Sequence, residues 1–268
     1  MKIVILLLFS VSTFAEPLYE VGTAIGGGYV PDYPGSDQGR QRTLIIPSFI
    51  YRGEIFKNDR RGSRALFFSS KYWDFDFSFG ASFPIDAEDN RARNGMDDLD
   101  WLFEIGPRIT YFFYRSNKRI LSLEFPLRFI TSTDGEFTRE RGQRFVPQLD
   151  FRENLDEHWR FGLSYKLNYG NLTINDYIYG VPERSATSQR EAYQAEAGFI
   201  SQDYSTSLFY RSKNFIGIFG ISYRQFHGSI NQDSPLLRVN ENTGVFMAFN
   251  YFFYQSKEQG KIDKSGEY

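Results

Sequence analysis

Two histidines and no cysteine limit the chemistry open to this 268-residue chain. Disulfides and cysteine-based metal sites are excluded, and His158 and His227 are too few for a histidine-rich centre. Nucleophilic catalysis needs a serine beside a histidine that an acidic group orients. The candidates are His227, Ser229 and Asp233. No serine-hydrolase motif surrounds them or His158, and a lone surface histidine is far commoner than a catalytic one. Asp97, Asp98 and Asp100 in MDDLD could pair carboxylates as in an aspartate-based protease; a solvated acidic loop is the simpler reading. GTAIGGG, 22–28, superficially suggests a phosphate loop. It lacks the Lys-Ser/Thr and the helix that would complete one, and glycine in a strand more often permits close packing or a bend.

A second set of charges is more informative. Asp74, Asp76, Glu104, Arg108, Glu124, Arg128, Arg160, Lys166 and Arg224 each lie in a stretch where every second residue is large and apolar. WDFDFSFGASF, 73–83, puts Trp73, Phe75, Phe77, Phe79 and Phe83 on one parity and Asp74, Asp76 and Ser78 on the other. The same alternation recurs over 101–114, 119–131, 159–170 and 242–254. Period two is a strand signal, because successive side chains point to opposite faces.

Three features separate a membrane barrel from a soluble sandwich. The strands reach about ten residues or more, the length a tilted strand needs to cross a bilayer. Trp and Tyr crowd the strand ends (Trp73, Trp101, Tyr111, Tyr114, Trp159, Tyr169, Tyr251, Tyr254), as in an aromatic girdle. Connections alternate between short ones (115–119, 154–158, 211–214) and long polar ones (85–100, 132–141, 171–190, 227–241). The expected fold is therefore all-β, an antiparallel up-and-down transmembrane barrel of the outer-membrane type. About twelve strands are expected, near 19–29, 42–52, 54–61, 64–71, 73–84, 101–114, 119–131, 142–153, 159–170, 191–211, 215–227 and 242–254. Ten is the alternative if no hairpin forms at Arg61-Gly62. A parity change in 191–211 calls for a bulge near Ser201–Asp203.

In such a barrel the charged parity faces the lumen. It reads either as a pore lined by both signs or as compensated ion pairs filling a narrow barrel, since buried charge needs partners. The basic short turns, with Arg115, Lys118, Arg119, Arg211 and Lys213, read as a partner-facing surface or as ordinary turn polarity. A net charge of −2 predicts no nucleic-acid binding. MKIVILLLFSVSTFA, 1–15, has the pattern of a cleaved secretory signal. Residues 16–254 then form one barrel domain, and 255–268 a polar, unstructured tail. The expected location is the outer membrane of a Gram-negative bacterium, in contact with its lipid.

Pro31-Asp32-Tyr33-Pro34-Gly35-Ser36, directly after a Gly-rich first strand, resembles the signature of the MltA-interacting protein (MipA/OmpV) family. DYIYGVPERSATSQREAYQAEAGF, 176–199, is similar to that family's long loop, and DSPLLR, 233–238, to its penultimate segment. The resemblance implies an outer-membrane protein without catalytic activity or cofactor. It also implies association with a complex of a murein lytic transglycosylase and a bifunctional penicillin-binding protein. PDYPGS reads either as a ligand-facing element or as a rigid cap on the first hairpin, two prolines fixing φ among turn formers. A small-solute channel and a surface adhesin or receptor are the other functional expectations.

Overall fold

The computed structural model describes residues 17–59 and 62–260. The expected signal segment, 1–15, lies outside them.

Strands are β1 (Tyr19–Pro31), β2 (Gly39–Arg52), β3 (Phe56–Asp59), β4 (Gly62–Ser69), β5 (Trp73–Ser82), β6 (Trp101–Arg115), β7 (Arg119–Thr133), β8 (Thr138–Phe145), β9 (Gln148–Asn154), β10 (Trp159–Gly170), β11 (Gly198–Arg211), β12 (Phe215–Gln225) and β13 (Glu241–Gln255). β8 and β9 are one stave broken at Val146-Pro147, and both pair with β7 and β10. Pro147 has no N–H to donate, so the ladder skips a rung there. The result is twelve antiparallel staves, closed by pairing of β13 with β1. β3 and β4 pair as a hairpin, with Asp59 opposite Gly62, so twelve is the count and not ten.

Parity sorts the faces as the alternation requires. On β5, Trp73, Phe75 and Phe79 are 37–47% exposed, as is Phe83 just beyond it, while Asp74, Asp76 and Ser78 are 3% or less. The rings form an outer apolar belt that meets lipid, and pairing between staves supplies most backbone partners within the membrane. Aromatic pairs band both ends of the belt: Trp73–Tyr111, Trp159–Tyr210 and Tyr19–Tyr254 at the short-turn rim, Phe83–Trp101 and Tyr169–Phe199 at the other. The short turns are built from side-chain acceptors. Ser116 Oγ accepts from Arg119 N–H, and Asp156 Oδ1 accepts from His158 and Trp159 N–H.

Four boundaries differ from the sequence expectation. β7 runs to Thr133 and β8 starts at Thr138, so the expected loop 132–141 shrinks to a turn. β11 begins at Gly198, which places Tyr193 and Ala195 in the preceding loop and not in a strand. A bulge does occur there, displaced to Ile200: Asn168 pairs with Ser201 and Tyr169 with Phe199. The tail is not free at its start, because Leu18 N–H donates to Glu258 O at 2.8 Å and Pro17 bridges Gln259. Residues 261–268 lie outside the described residues.

Candidate functional site

The long connections do not spread into solvent. They fold over the outer mouth as a cap with its own apolar core. Tyr33, Ile85, Leu99, Ile174, Tyr179, Val181, Phe226 and Leu236 are all buried in it. The loop 171–197, of which 171–190 was expected as a polar connection, carries helix α1 (Leu172–Tyr179). Asn171 caps it, its side chain accepting from Ile174 N–H. α1 turns Ile174, Ile178 and Tyr179 inward, at helical spacing. Arg93 Nη1 donates to Ile178 O at 3.0 Å, and Arg190 Nη1 to the carbonyls of Ala92 and Asn94 at 2.8 and 3.0 Å. Burial lowers the Arg93 pKa.

PDYPGS is the keystone of this cap. Tyr33 donates to Leu236 O at 2.9 Å, and burial pushes its phenol up to about 12. Asp32 accepts from Arg40 at 2.6 and 3.0 Å and from Asn90 at 2.9 Å. Ser36 Oγ accepts from the same Asn90 amide at 3.0 Å. Gly35, at φ +90°, packs against Leu237, where a Cβ would crowd the leucine. Its N–H donates to Asn242 Oδ1 at 2.8 Å and its O accepts from Arg238 N–H at 2.7 Å. Pro31 and Pro34 flank the turn. The segment thus points into protein.

Inside the barrel the charges meet partners across neighbouring strands. Arg108 grips Asp76 with two bonds of 2.9 and 3.0 Å and Glu124 with one of 3.0 Å. Gln148 adds a 2.9 Å bond to Glu124. Glu104 takes Arg144 at 2.6 Å and Arg128 at 3.5 Å. Arg224 holds Asp203 at 2.5 and 2.8 Å, and Arg160 donates to Asn154 at 2.8 Å. Lys166 lies in register between Asp203 and Gln148.

The inner end is plugged as well. Glu20 accepts from Arg52 at 2.7 Å, Arg211 at 2.5 Å and Gln255 at 2.7 Å. The Phe252 ring lies under Arg211, its centroid 5.0 Å away, and packs with Ile50 and Ile216. This relocates two residues read as rim charges, whether for a partner or as ordinary turn polarity. Arg211 turns inward to Glu20, and Arg115 turns inward to Asp74 at 2.9 Å and Ser70 O at 3.1 Å. Both guanidinium groups sit at strand ends, where an inward reach gains a carboxylate and a ring face; Arg115 stacks on Phe112 at 4.1 Å. Lys118, Arg119 and Lys213 stay on the rim, with Arg119 bound to Glu153 at 2.7 Å.

The hydrolase candidates are not assembled. Ser229 is buried and its Oγ accepts from Asn231 N–H, while His227 and Asp233 point to solvent; no hydrogen bond joins the three among the described residues. His158 Nδ1 meets Arg211 O at 2.9 Å. Asp97, Asp98 and Asp100 fix loops instead, through Arg184, Ala87 N–H, and Ser132 with Arg141. They border an outer cleft of about 1600 Å³ between the loops. In GTAIGGG, Gly22 and Gly28 let β1 lie against β13, where a Cβ would strike the carbonyls of Tyr251 and Val245.

Sequence reasoning missed the cap core and the inner plug. Ile174 and Ile178 are four apart in a loop that also carries Asn171 as a cap, which was a legible helix signal. Glu20 carried no signal, since its partners come from strands 32 and 191 residues away.

A search of curated proteins finds no match. Among solved structures, the NanC porin is similar over 86% of this chain and 98% of its own, at 8% identity and TM-score 0.41. A bacterial polysaccharide outer-membrane secretin is similar over 90% and 100%, at 8% identity and TM-score 0.42. An outer-membrane channel from Pseudomonas putida F1 is similar over 90% and 98%, at 9% identity and TM-score 0.41. The family model described as MltA-interacting protein MipA matches residues 23–253, and the protein belongs to that family.

Proposed function

We propose that this non-enzymatic barrel of the Gram-negative outer membrane is a membrane-anchored scaffold, which holds a lytic transglycosylase, and with it a penicillin-binding protein, at the periplasmic rim. The observation that supports a scaffold over a pore is closure at both ends. A packed cap covers the mouth, and the Glu20–Arg52–Arg211 cluster with Phe252 fills the floor. Many charges of the lumen between them are paired, as in Arg108 with Asp76 and Glu124, Glu104 with Arg144, and Arg224 with Asp203, which suits a rigid post. The docking surface left is the periplasmic rim, where Lys118, Arg119 and Lys213 are exposed. The family's description, an MltA-interacting protein, supports a lytic transglycosylase as the first partner.

The test is capture of a purified lytic transglycosylase by the barrel in lipid nanodiscs. Lys118→Gln, Arg119→Gln and Lys213→Gln together should weaken capture at least tenfold while leaving the barrel's gel mobility unchanged. Capture that ignores all three changes would remove this surface from the account, and no capture by the wild type would remove the scaffold itself.

A further inference from the structure

The ring of staves is closed, but its wall is not complete. β2 pairs with β1 along thirteen residues, Gly39 to Tyr51, yet with β3 only at Tyr51 and Arg52. β5 pairs with β4 only as far as Ser78, whereas its ladder with β6 continues to Ser82. The hairpin β3–β4 is shorter than the staves beside it. Above it, among the described residues, β2 from Arg40 to Ile50 and β5 from Phe79 to Ser82 have no strand between them, and no ladder joins them directly.

Exposure marks the same place. On β5 and β6 one parity is open and the other covered. On β2 both are open: Ile45 and Phe49, on the outer parity, are 66% and 51% exposed, and Leu44 and Ile46, on the inner parity, are 41% and 45% exposed. Ser48, of that inner parity, reaches across the lumen face of β1 to Asn250, which fixes the direction. The sequence is also adapted to an unpaired edge. Arg52 N–H points toward β1, to Leu18 O, so the N–H groups of odd-numbered residues face the gap. Pro47 is one of these, and it has no N–H to leave unpaired. An unpaired backbone at bilayer depth is tolerated where it borders a cavity. A cavity of about 360 Å³ meets the upper end of the gap, running beneath the cap from Arg42, Ala81 and Phe83 to Asp203 and Arg224 on the far wall.

The opening is framed. At its upper edge Arg42 donates to Pro84 O at 3.1 Å and lies 5.2 Å over the Phe83 ring. Above that, Arg40 bridges to Asp89 at 2.7 Å. Its inner surface is apolar: Leu44 and Ile46 continue, past Gly26 and Gly28, to Phe246, which is 40% exposed on the inner parity of β13.

We propose that this gap is a lateral port between the lumen and the outer leaflet, and that it takes a single-chain amphiphile with an anionic head. The tail lies along Leu44, Ile46 and Phe246, and the head meets the Arg42 guanidinium, whose hydrogen bond runs to the Pro84 carbonyl and which shares its cavity with Asp32. The port opens to lipid and leaves both plugs in place, so it is independent of the scaffold reading.

The experiment uses the mature chain in phosphatidylcholine nanodiscs and a palmitic acid analogue carrying a diazirine in its tail. After irradiation, label should concentrate on residues 43–49 and on Phe246, and unlabelled palmitate should compete it away. Hexadecanol, with the same chain and no charge, should compete about tenfold more weakly, the worth of a hydrogen bond to a charged group. Arg42→Gln, checked for unchanged gel mobility, should abolish that difference. Lysophosphatidylglycerol competing better than palmitate would assign the source to a lysophospholipid; the reverse would assign it to a free fatty acid. Label spread evenly round the belt would overturn the proposal, as would no label on Phe246 or an Arg42→Gln variant that still distinguishes palmitate from hexadecanol. Copy-to-copy crosslinks at 43–49 would overturn it in favour of edge pairing between barrels.

Discussion

The Tyr33 hydroxyl donates to the Leu236 carbonyl across 203 residues of sequence, tying the turn after the first strand to the loop before the last. Both residues are buried in the cap core. Tyr33→Phe removes one buried hydrogen bond and should cost about 1 kcal/mol. Tyr33→Ala also empties the ring's site and should cost about 3–5 kcal/mol. Limited proteolysis of 226–240 on intact vesicles reads the effect. Equal protection in wild type and Tyr33→Ala would mean that the cap is held elsewhere.

The neighbouring Asp32 makes the cap sensitive to acid. Burial alone would raise its carboxyl pKa, but hydrogen bonds from Arg40 and Asn90 outweigh that and hold it below the ordinary value. A depressed carboxylate pKa stabilises the folded form above the unfolded pKa, about 3.9. That stabilisation is lost as pH falls through the folded value. Protection of the amides at residues 32–38 and 90 against hydrogen exchange, taken relative to the intrinsic rate at each pH, should therefore fall below about pH 4. Asp32→Asn should show faster exchange already at pH 7 and a flatter pH dependence; an acid response unchanged in that variant would point to another group.

In the middle of the barrel, Arg108 is shared by Asp76 and Glu124. Arg108→Ala leaves two carboxylates without it and should destabilise by about 3–5 kcal/mol. Replacing the three together, as Arg108→Met with Asp76→Leu and Glu124→Met, should recover most of that, because uncompensated charge is the main cost. Urea unfolding in lipid vesicles measures both. A triple variant as unstable as Arg108→Ala would show that the ion pairs specify the barrel's packing beyond charge balance.

Closure at both ends makes a statement about current. In planar bilayers the wild type should give no step conductance. Deleting 172–196 opens only the outer end and should remain silent. Combining that deletion with Glu20→Ala, Arg52→Ala and Arg211→Ala should produce steps. Wild-type steps that shift with Arg108→Ala or Glu124→Ala would favour a channel through the charged lumen.

Much of the barrel was legible because lipid imposes one rule on every stave. The alternation in WDFDFSFGASF is local, and it places Phe75 outward and Asp76 inward without knowledge of any neighbour. The hairpin after Asp59 was less legible, which left ten strands open beside twelve, and the pairing of β3 with β4 decides it. The cap was not legible, since Ile174, Phe226 and Leu236 come from loops whose polarity conceals the few residues that meet. Arg115 and Arg211 read as rim charges because a long side chain at a strand end can turn either way, and only Asp74 and Glu20 decide it. The short β3–β4 hairpin left a trace in LIIP, 44–47, where apolar residues break the alternation, but an edge strand and a buried strand read alike in such a run.

The central claim is that alternate residues of each stave meet lipid and lumen. The chain has no cysteine, so single nitroxide labels can be placed without background at Phe75→Cys, Phe79→Cys and Phe125→Cys on the outer parity, and at Ser78→Cys and Ser122→Cys on the inner. In reconstituted vesicles, electron paramagnetic resonance should show high collision with oxygen and low collision with a polar nickel chelate at the first three, and low oxygen collision at the last two. An oxygen-to-chelate ratio that fails to alternate along β5 and β7 would contradict the assignment of these rings to the bilayer.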